Sequence, residues 1–364
     1  MATITKASEQ WASRPADERF TSLDDMLAFK ARVRDMALSM NKANRQIEAV
    51  PVQGSERALA VVVDGMPTVT TNWAFGQLAQ RAGAPGPYLR SLRPDLAADC
   101  INYGMAKREV EDVGVYIHRH DESSPVPIMA AVTGPQYGRI SDASIIEALI
   151  ARFGNGRDGD FTVPGEFGEK VAVTKANTTL YASDRDMFVF LADEKNRIEV
   201  PDRRNGEPGM LARGFFVQNS EVGSAALSIT TFLFDYVCCN RIVWGAADMK
   251  NVTIRHTSGA PIRFLEEVAP ALELYAHSSA QGIVDGIAAA KAKRLEEVED
   301  FLSERFSRSQ AKAIILAHEV DEARPIETIW DAVVGITAYA RELPNQDNRV
   351  DFERAAGKVM KLAA

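Results

Sequence analysis

The chain of 364 residues is 46% hydrophobic and 25% charged, with 24 Gly and 16 Pro, the composition of a globular protein longer than most single domains. Its 50 acidic residues outnumber 42 basic ones for a net charge of -8, which excludes a histone-like or basic-tail protein and leaves room only for a local polyanion site. The cysteines, Cys100, Cys238 and Cys239, do not make a disulfide framework, and no stretch reads as a signal peptide or membrane span, so a soluble cytoplasmic protein without a membrane partner is expected.

Residues 1–20 are expected to form a mobile N-terminal segment. Ser22-Leu-Asp-Asp25 has the form of a capping box, and Leu23, Met26, Leu27, Val33, Met36 and Met40 repeat at helical spacing. Short β-branched runs at Ala60–Val63 and Thr68–Thr71, broken by Asp64-Gly65, predict a hairpin. Helices follow from Trp73 to Arg81 and from Leu89 to Tyr103. Strands are predicted around Val113–Ile117 and Ile128–Val132. Asp142 then caps a helix that buries Ile145, Ile146, Leu149, Ile150 and Phe153 and stops at Gly154. Between Val171 and Ile254 lie further strand candidates: Val171–Thr174, Thr179–Ala182, Met187–Leu191, Gly214–Val217, Leu227–Val237 and Val252–Ile254.

After Pro261 the pattern is helical, with apolar stripes at Leu295, Val298, Phe301, Leu302 and Phe306, and at Ile326, Ile329, Trp330, Val333 and Val334. Residues 264–364 hold 18 acids and 12 bases, a net charge of -6, which leaves 32 and 30, a net of -2, for the remainder. The expected fold is α+β: a core domain over 21–263 with a mainly antiparallel sheet and flanking helices, followed by a helical C-terminal region over 264–364.

Gly154-Asn-Gly-Arg-Asp-Gly159 fits G-x-G-x-x-G, but a helix precedes it and a strand follows, the reverse of a dinucleotide loop, and it reads as a turn. His118, His120 and Asp121 form one compact set of metal-capable ligands, weighed against the polar face of an edge strand. Asp184, Asp186 and Asp193-Glu-Lys195 flank an apolar strand in the manner of a metal-dependent nuclease, weighed against ordinary hairpin charges. Cys238 and Cys239 read as buried thiols. Phe232, Phe234 and Tyr236 share one strand face beside Arg241 and Arg255 and read as core before they read as a stacking surface for single-stranded bases.

Asn219-Ser-Glu-Val-Gly-Ser224, followed by Val237-Cys-Cys-Asn240, Val243-Trp-Gly245 and Arg255-His256, resembles the phage- and plasmid-like family built on domain of unknown function 932. Trp73–Leu78, Tyr137–Asp142, Ala182–Phe188 and Asp347-Asn-Arg-Val resemble further stretches of that family. Arg241 stands where the family commonly has Gly, which places a cation at that turn. The resemblance implies a setting in phages, prophages and plasmids, whose products often handle DNA.

Asn219, Ser220, Asn240, Arg241, Arg255 and His256 form the candidate nucleic-acid contact set, with Arg supplying charge and Asn supplying hydrogen bonds to base edges, against the alternative that Asn and Ser satisfy local backbone. The expected function is non-enzymatic binding of nucleic acid, foremost single-stranded DNA, by a homo-oligomer in replication or recombination, with no cofactor. The alternatives are a metal-dependent nuclease, which would need Mg, and an oligomeric interaction or assembly factor built on the C-terminal helices.

Overall fold

The computed structural model describes residues 15–55, 58–119, 126–164, 172–201, 208–235, 240–242, 252–277, 279, 281–343 and 346–363. The fold is α+β, with two mostly antiparallel sheets and a helical C-terminal region.

Arg19 and Phe20, expected in the terminal segment, form the short strand β1 (Arg19–Phe20). Helix α1 (Leu23–Asp35) is capped by Ser22, whose hydroxyl accepts from Asp25 N, and it buries Leu23, Met26 and Val33. It ends earlier than the methionine spacing predicts. Met36 is its C-cap and Met40 lies in β2 (Leu38–Ala43), because pairing of this segment with β6 (Asp112–His118) replaces helical bonds by a ladder.

The first sheet runs β2-β6-β7-β5-β4-β3, adding β3 (Ile47–Pro51), β4 (Leu59–Val63), β5 (Met66–Thr70) and β7 (Ile128–Thr133), antiparallel except where β5 lies parallel to β7. The predicted Asp64-Gly65 turn joins β4 to β5, with both residues at positive φ (51° and 76°), as a tight two-residue hairpin turn requires. Helix α2 (Asn72–Ala82) is capped by Thr71 and closed by Gly83 in the left-handed region. The single helix expected from Leu89 to Tyr103 is two, α3 (Gly86–Ser91) and α4 (Pro94–Lys107), since Pro94 opens a helix and disfavours helical backbone at the residue before it. Leu78, Leu89, Ile101 and Met105 close the core over this sheet.

Helix α5 (Asp142–Phe153) has Ser141 at its N-cap, one residue before the position predicted. It ends at Gly154, and the Gly-rich stretch that follows is a turn between helix and strand: Asn155 O accepts from Leu23 N, and Arg157 reaches Thr21. The second sheet runs β1-β9-β10-β12-β13-β14, built from β9 (Leu180–Ala182), β10 (Met187–Asp193), β12 (Gly209–Asn219), β13 (Leu227–Asp235) and β14 (Asn240–Ile242). Short strands β8 (Phe161–Thr162), β11 (Ile198–Val200) and β15 (Val252–Ile254) pair with β10, β12 and β13. The strand expected at Val171–Thr174 is absent over 172–174. There Asn177 Oδ1 takes the Thr174 N–H at 2.7 Å, an Asn turn that competes with a ladder.

One face of this sheet, with Met187, Val189, Leu191, Phe215, Val217 and Ile229, packs on α1 and α5. The same core takes Phe264, Val268, Leu272 and Tyr275 from the helical run α6 (Ala260–Arg263), a π-helical stretch Phe264–Val268 and α7 (Ala269–His277), so apolar packing continues across residue 263. The other face carries Tyr181, Phe188, Phe190, Phe216 and Phe232, all buried. Helices α8 (Gln281–Ala292), α9 (Val298–Ser303), α10 (Arg308–Glu322), α11 (Ile329–Arg341) and α12 (Gln346–Met360) gather around Trp330 and pack on Ile198, Val200, Leu211 and Leu233 at the far end of β11–β13. Among the described residues no helix is long and apolar enough to cross a membrane.

Candidate functional site

The turn Asn219-Ser-Glu-Val-Gly-Ser224 links β12 to β13 and meets segments from most of the molecule. Ser220 Oγ donates to Arg185 O at 2.7 Å and accepts from Ser224 N at 3.0 Å, so it braces the turn on the loop before β10. Val222 O accepts from Trp73 Nε1 at 2.9 Å and Gln77 Nε2 at 2.8 Å, both on α2. Tyr137 Oη donates to Ser220 O at 2.8 Å and its ring stacks on His256 at 4.8 Å. Strand β15 ends just before Arg255-His256, and Gly138 N donates to His256 O. The stretches 73–78, 137–142, 182–188, 219–224 and 255–256 therefore converge on one point where the two sheets meet.

Behind the turn lies a buried charged network. Lys30 Nζ is 2.9 Å from Asp142 Oδ2 and donates to Ser183 O at 2.9 Å. Asn219 Nδ2 donates to Asp142 Oδ1 at 2.7 Å and to Ile140 O at 3.0 Å, and Asp142 N donates to Glu221 Oε1 at 3.2 Å. All four side chains are buried. Burial pushes the Glu221 carboxyl up to about 7, Asp142 adds to that rise, and Lys30 opposes it. Burial alone would lower Lys30, but Asp142 and Glu221 outweigh it and hold the ammonium above its ordinary range. Arg139 lies with its guanidinium 3.9 Å from the Tyr116 ring centre and 5.2 Å from that of Tyr137, and its buried Nε and Nη1 have no hydrogen-bond partner. A small cavity of about 50 Å³, lined by Lys30, Tyr116, His118, Ser183, Asp184 and Glu221 among others, adjoins this network.

In front of the turn is an open cleft of about 460 Å³ lined by Gln77, Gln80, Arg81, Arg108, Tyr137 and Gly223, with Thr133 and Gly134 at the end of β7. Gly223 has φ +86°, a conformation that suits glycine, and a Cβ there would sit 3.5 Å from Gln77 Nε2 and 3.6 Å from the Tyr137 ring. Arg81 and Arg108 approach the same Glu111 oxygen at 3.4 and 3.3 Å, so two guanidinium groups share one carboxylate and the cleft keeps a net positive charge. Burial lowers the Arg81 pKa from its ordinary value, and the neighbouring Arg108 lowers it further. Lys107 lies 5.9 Å from the exposed ring of Tyr103, little more than one helical turn before Arg108.

The proposed contact residues fall in two groups. Asn219, Ser220, Arg255 and His256 stand together at the cleft end of β12, β13 and β15. Asn219 and Ser220 are fully buried and engaged with backbone and Asp142, while Arg255 is exposed. Asn240 and Arg241 pair through the backbone with Asp235 and Phe234, seven residues along β13 from the Leu227–Ile254 pair, or about 23 Å away. Asp186 precedes β10 and Asp193 ends it, about 23 Å apart. Asp193 is spent on Arg213 at 2.8 Å and Lys195 pairs with Asp160, so the strand does not bring the carboxylates and the lysine together. His118 is buried beside the small cavity, whereas His120 and Asp121 lie outside the described residues, as do Tyr236, Cys238 and Cys239. Among the described residues no group of three or more His, Cys, Asp or Glu side chains is placed to hold a metal ion.

Sequence reasoning missed Arg81, Arg108, Lys30 and Glu221. The Lys107-Arg108 pair closing a helix was the one local signal; Lys30 and Glu221 sit in amphipathic or turn contexts where charge is ordinarily solvent-facing. A family model described as Domain of unknown function (DUF932) matches residues 169–357, which takes in the turn, β15 and most of the C-terminal helices but not α2 or the first sheet. No curated protein matches, and no solved structure matches.

Proposed function

The chain belongs to the Domain of unknown function (DUF932) family, and from that premise we propose that it is a nucleic-acid-binding protein of a mobile element, holding single-stranded DNA without catalysis at the cleft between its two sheets. The observation that carries the proposal is the Arg81–Glu111–Arg108 arrangement: two cations share one carboxylate beside the exposed amide of Gln80 in an open cleft, a local positive site on an acidic protein. Arg255, exposed next to the Tyr137–His256 stack, extends the charge along the rim, and exposed Tyr103 supplies an aromatic face for a base. The buried Asn219 and Ser220 have a different part, which is to hold the turn that forms the cleft floor.

Anisotropy of a labelled oligodeoxynucleotide tests this. The parent protein binds with a salt-dependent affinity, Arg81→Ala and Arg108→Ala each weaken binding by about tenfold and reduce the salt slope, and Arg241→Ala changes it little. Absence of binding, or wild-type affinity in both cleft variants, sinks the reading. Duplex DNA and single-stranded RNA run as competitors identify the preferred nucleic acid.

A further inference from the structure

Glu221 lies in the turn that forms the cleft floor, two residues before Gly223, yet its carboxyl points away from solvent into the charged network. The groups that face it come from every packed element: Lys30 of α1, Asp142 at the start of α5, Arg139 and Tyr137 from the segment before α5, and Tyr116 of β6, with His118 and Asp184 lining the same small cavity. Asp142 N is the hydrogen bond this carboxyl receives, and the Arg139 guanidinium, close enough to be felt electrostatically, forms no ion pair with it. Val222, between Glu221 and Gly223, carries the Trp73 and Gln77 bonds that fix α2, the helix of Arg81, to the turn. Charge at Glu221 is therefore one rigid turn away from the cleft.

We propose that Glu221 is a proton-linked regulator of the cleft: with the carboxyl neutral, Lys30 stays balanced by Asp142 and the uncompensated charge of Arg139 adds to the field of Arg81 and Arg108, so polyanion binds more tightly; with it ionised, the Arg139 charge is cancelled and binding weakens. This rests on the cleft being the polyanion site. Burial gives the carboxyl a proton affinity in the physiological range, so the change falls where cells operate. Linkage requires the reverse effect as well, namely that polyanion binding draws a proton onto Glu221.

The test uses the full chain and a labelled oligodeoxynucleotide at constant ionic strength. Affinity rises roughly fourfold between about pH 8 and about pH 6, the effect of one unit charge some 10 Å away in a partly screened medium. Calorimetry in two buffers of different ionisation enthalpy shows proton uptake at about pH 7.5. Glu221→Gln binds at both pH values with the affinity that the parent shows at the lower one. A parent affinity that does not change with pH, or a Glu221→Gln protein that keeps the parent's slope, overturns the regulator while leaving the cleft reading intact; no binding at any pH overturns both. Should Glu221→Gln not fold, infrared spectroscopy of the parent decides. A protonated-carboxyl stretching band that grows on oligonucleotide addition supports the proposal, and its absence overturns it.

Discussion

Lys30 and Asp142, 2.9 Å apart and both buried, tie α1 to the first turn of α5 and stand between the second sheet and the cleft turn. Desolvating two ions is expensive, and the pair persists because Asn219 and Ser183 O supply further hydrogen bonds to each partner. Lys30→Met leaves Asp142 charged and buried, and destabilises the protein by about 3–5 kcal/mol in urea titration. The double variant Lys30→Met, Asp142→Leu loses less than the sum of the two singles. Strict additivity would show that the pair is not coupled.

The elevated Glu221 pKa makes stability pH-dependent with a definite sign. Between its ordinary 4.5 and about 7, the folded protein holds a proton that the unfolded chain has released, so stability falls as pH rises through that window and is level above it. Glu221→Gln removes this slope, and at about pH 8 it is more stable than the parent by about 2 kcal/mol. Denaturation midpoints across pH check both, and a parent curve that rises between pH 5 and 7 contradicts the assignment.

Gly223 is held at φ +86° on the cleft floor. Gly223→Ala strains the backbone there, which costs about 1–2 kcal/mol, while its Cβ meets Gln77 and Tyr137 at ordinary contact distance. A lowered melting temperature is expected together with weaker oligonucleotide binding; an unchanged melting temperature would mean that the turn relaxes freely.

Asp331, at N3 of α11, accepts from Arg324 Nη2 at 2.6 Å and from Thr328 N at 2.9 Å. Burial alone would raise its pKa, but the His318 imidazole 3.8 Å away and hydrogen bonds from Arg324 and Thr328 outweigh it and hold the carboxyl well below the usual range. Its contribution is therefore present above the ordinary carboxylate pKa and is lost as pH falls below it. Asp331→Asn destabilises the helical region by about 2 kcal/mol at neutral pH, and the gap to the parent closes towards about pH 2. A gap that stays constant with pH refutes the charge argument.

At Gly335 helices α10 and α11 cross closely, since a Cβ would lie 3.0 Å from His318 Cβ and 3.1 Å from Ile314 O. Gly335→Ala gains about 1 kcal/mol of helix propensity and loses more to the collision. Gly335→Leu cannot be accommodated by the fully buried His318 and lowers the denaturation midpoint by several times as much. Equal stability of all three proteins would mean that the helices part easily.

Periodicity and turn chemistry made much of the scaffold legible: the Asp64-Gly65 hairpin, the helix read at Trp73–Arg81, the strands read at Met187–Leu191, Gly214–Val217 and Val252–Ile254 and the helical end stand where their residues indicated, while β12 runs longer than its apolar core and β11 and β14 were not read. Errors came where tertiary pairing overrode a local pattern, as at Met40, or where one proline divided a helical run, as at Pro94. The site was half legible. Asn219, Ser220 and His256 were found through the resemblance, but which of the six polar residues stand together depends on the register of β13, which places Arg241 opposite Phe234 and Ile254 opposite Leu227. Lys30 and Glu221 were invisible because only the fold removes them from water.

The two hydrogen bonds that Val222 O accepts from Trp73 and Gln77 bear on how the chain folds during synthesis. Every strand of the first sheet precedes residue 134, so that sheet can pair early. Its indole and amide donors, however, and the Lys30 ammonium in the second core, have no native acceptors until Asp142, Ser183 and the 219–224 turn have left the ribosome. A nascent chain stopped before that point covers α2 with the first sheet but carries an exposed apolar face on α1 and polar groups that cannot be buried without loss. Closing the contact between the two sheets thus joins residues about 150 apart in sequence, the kind of long-range contact that forms late and slowly.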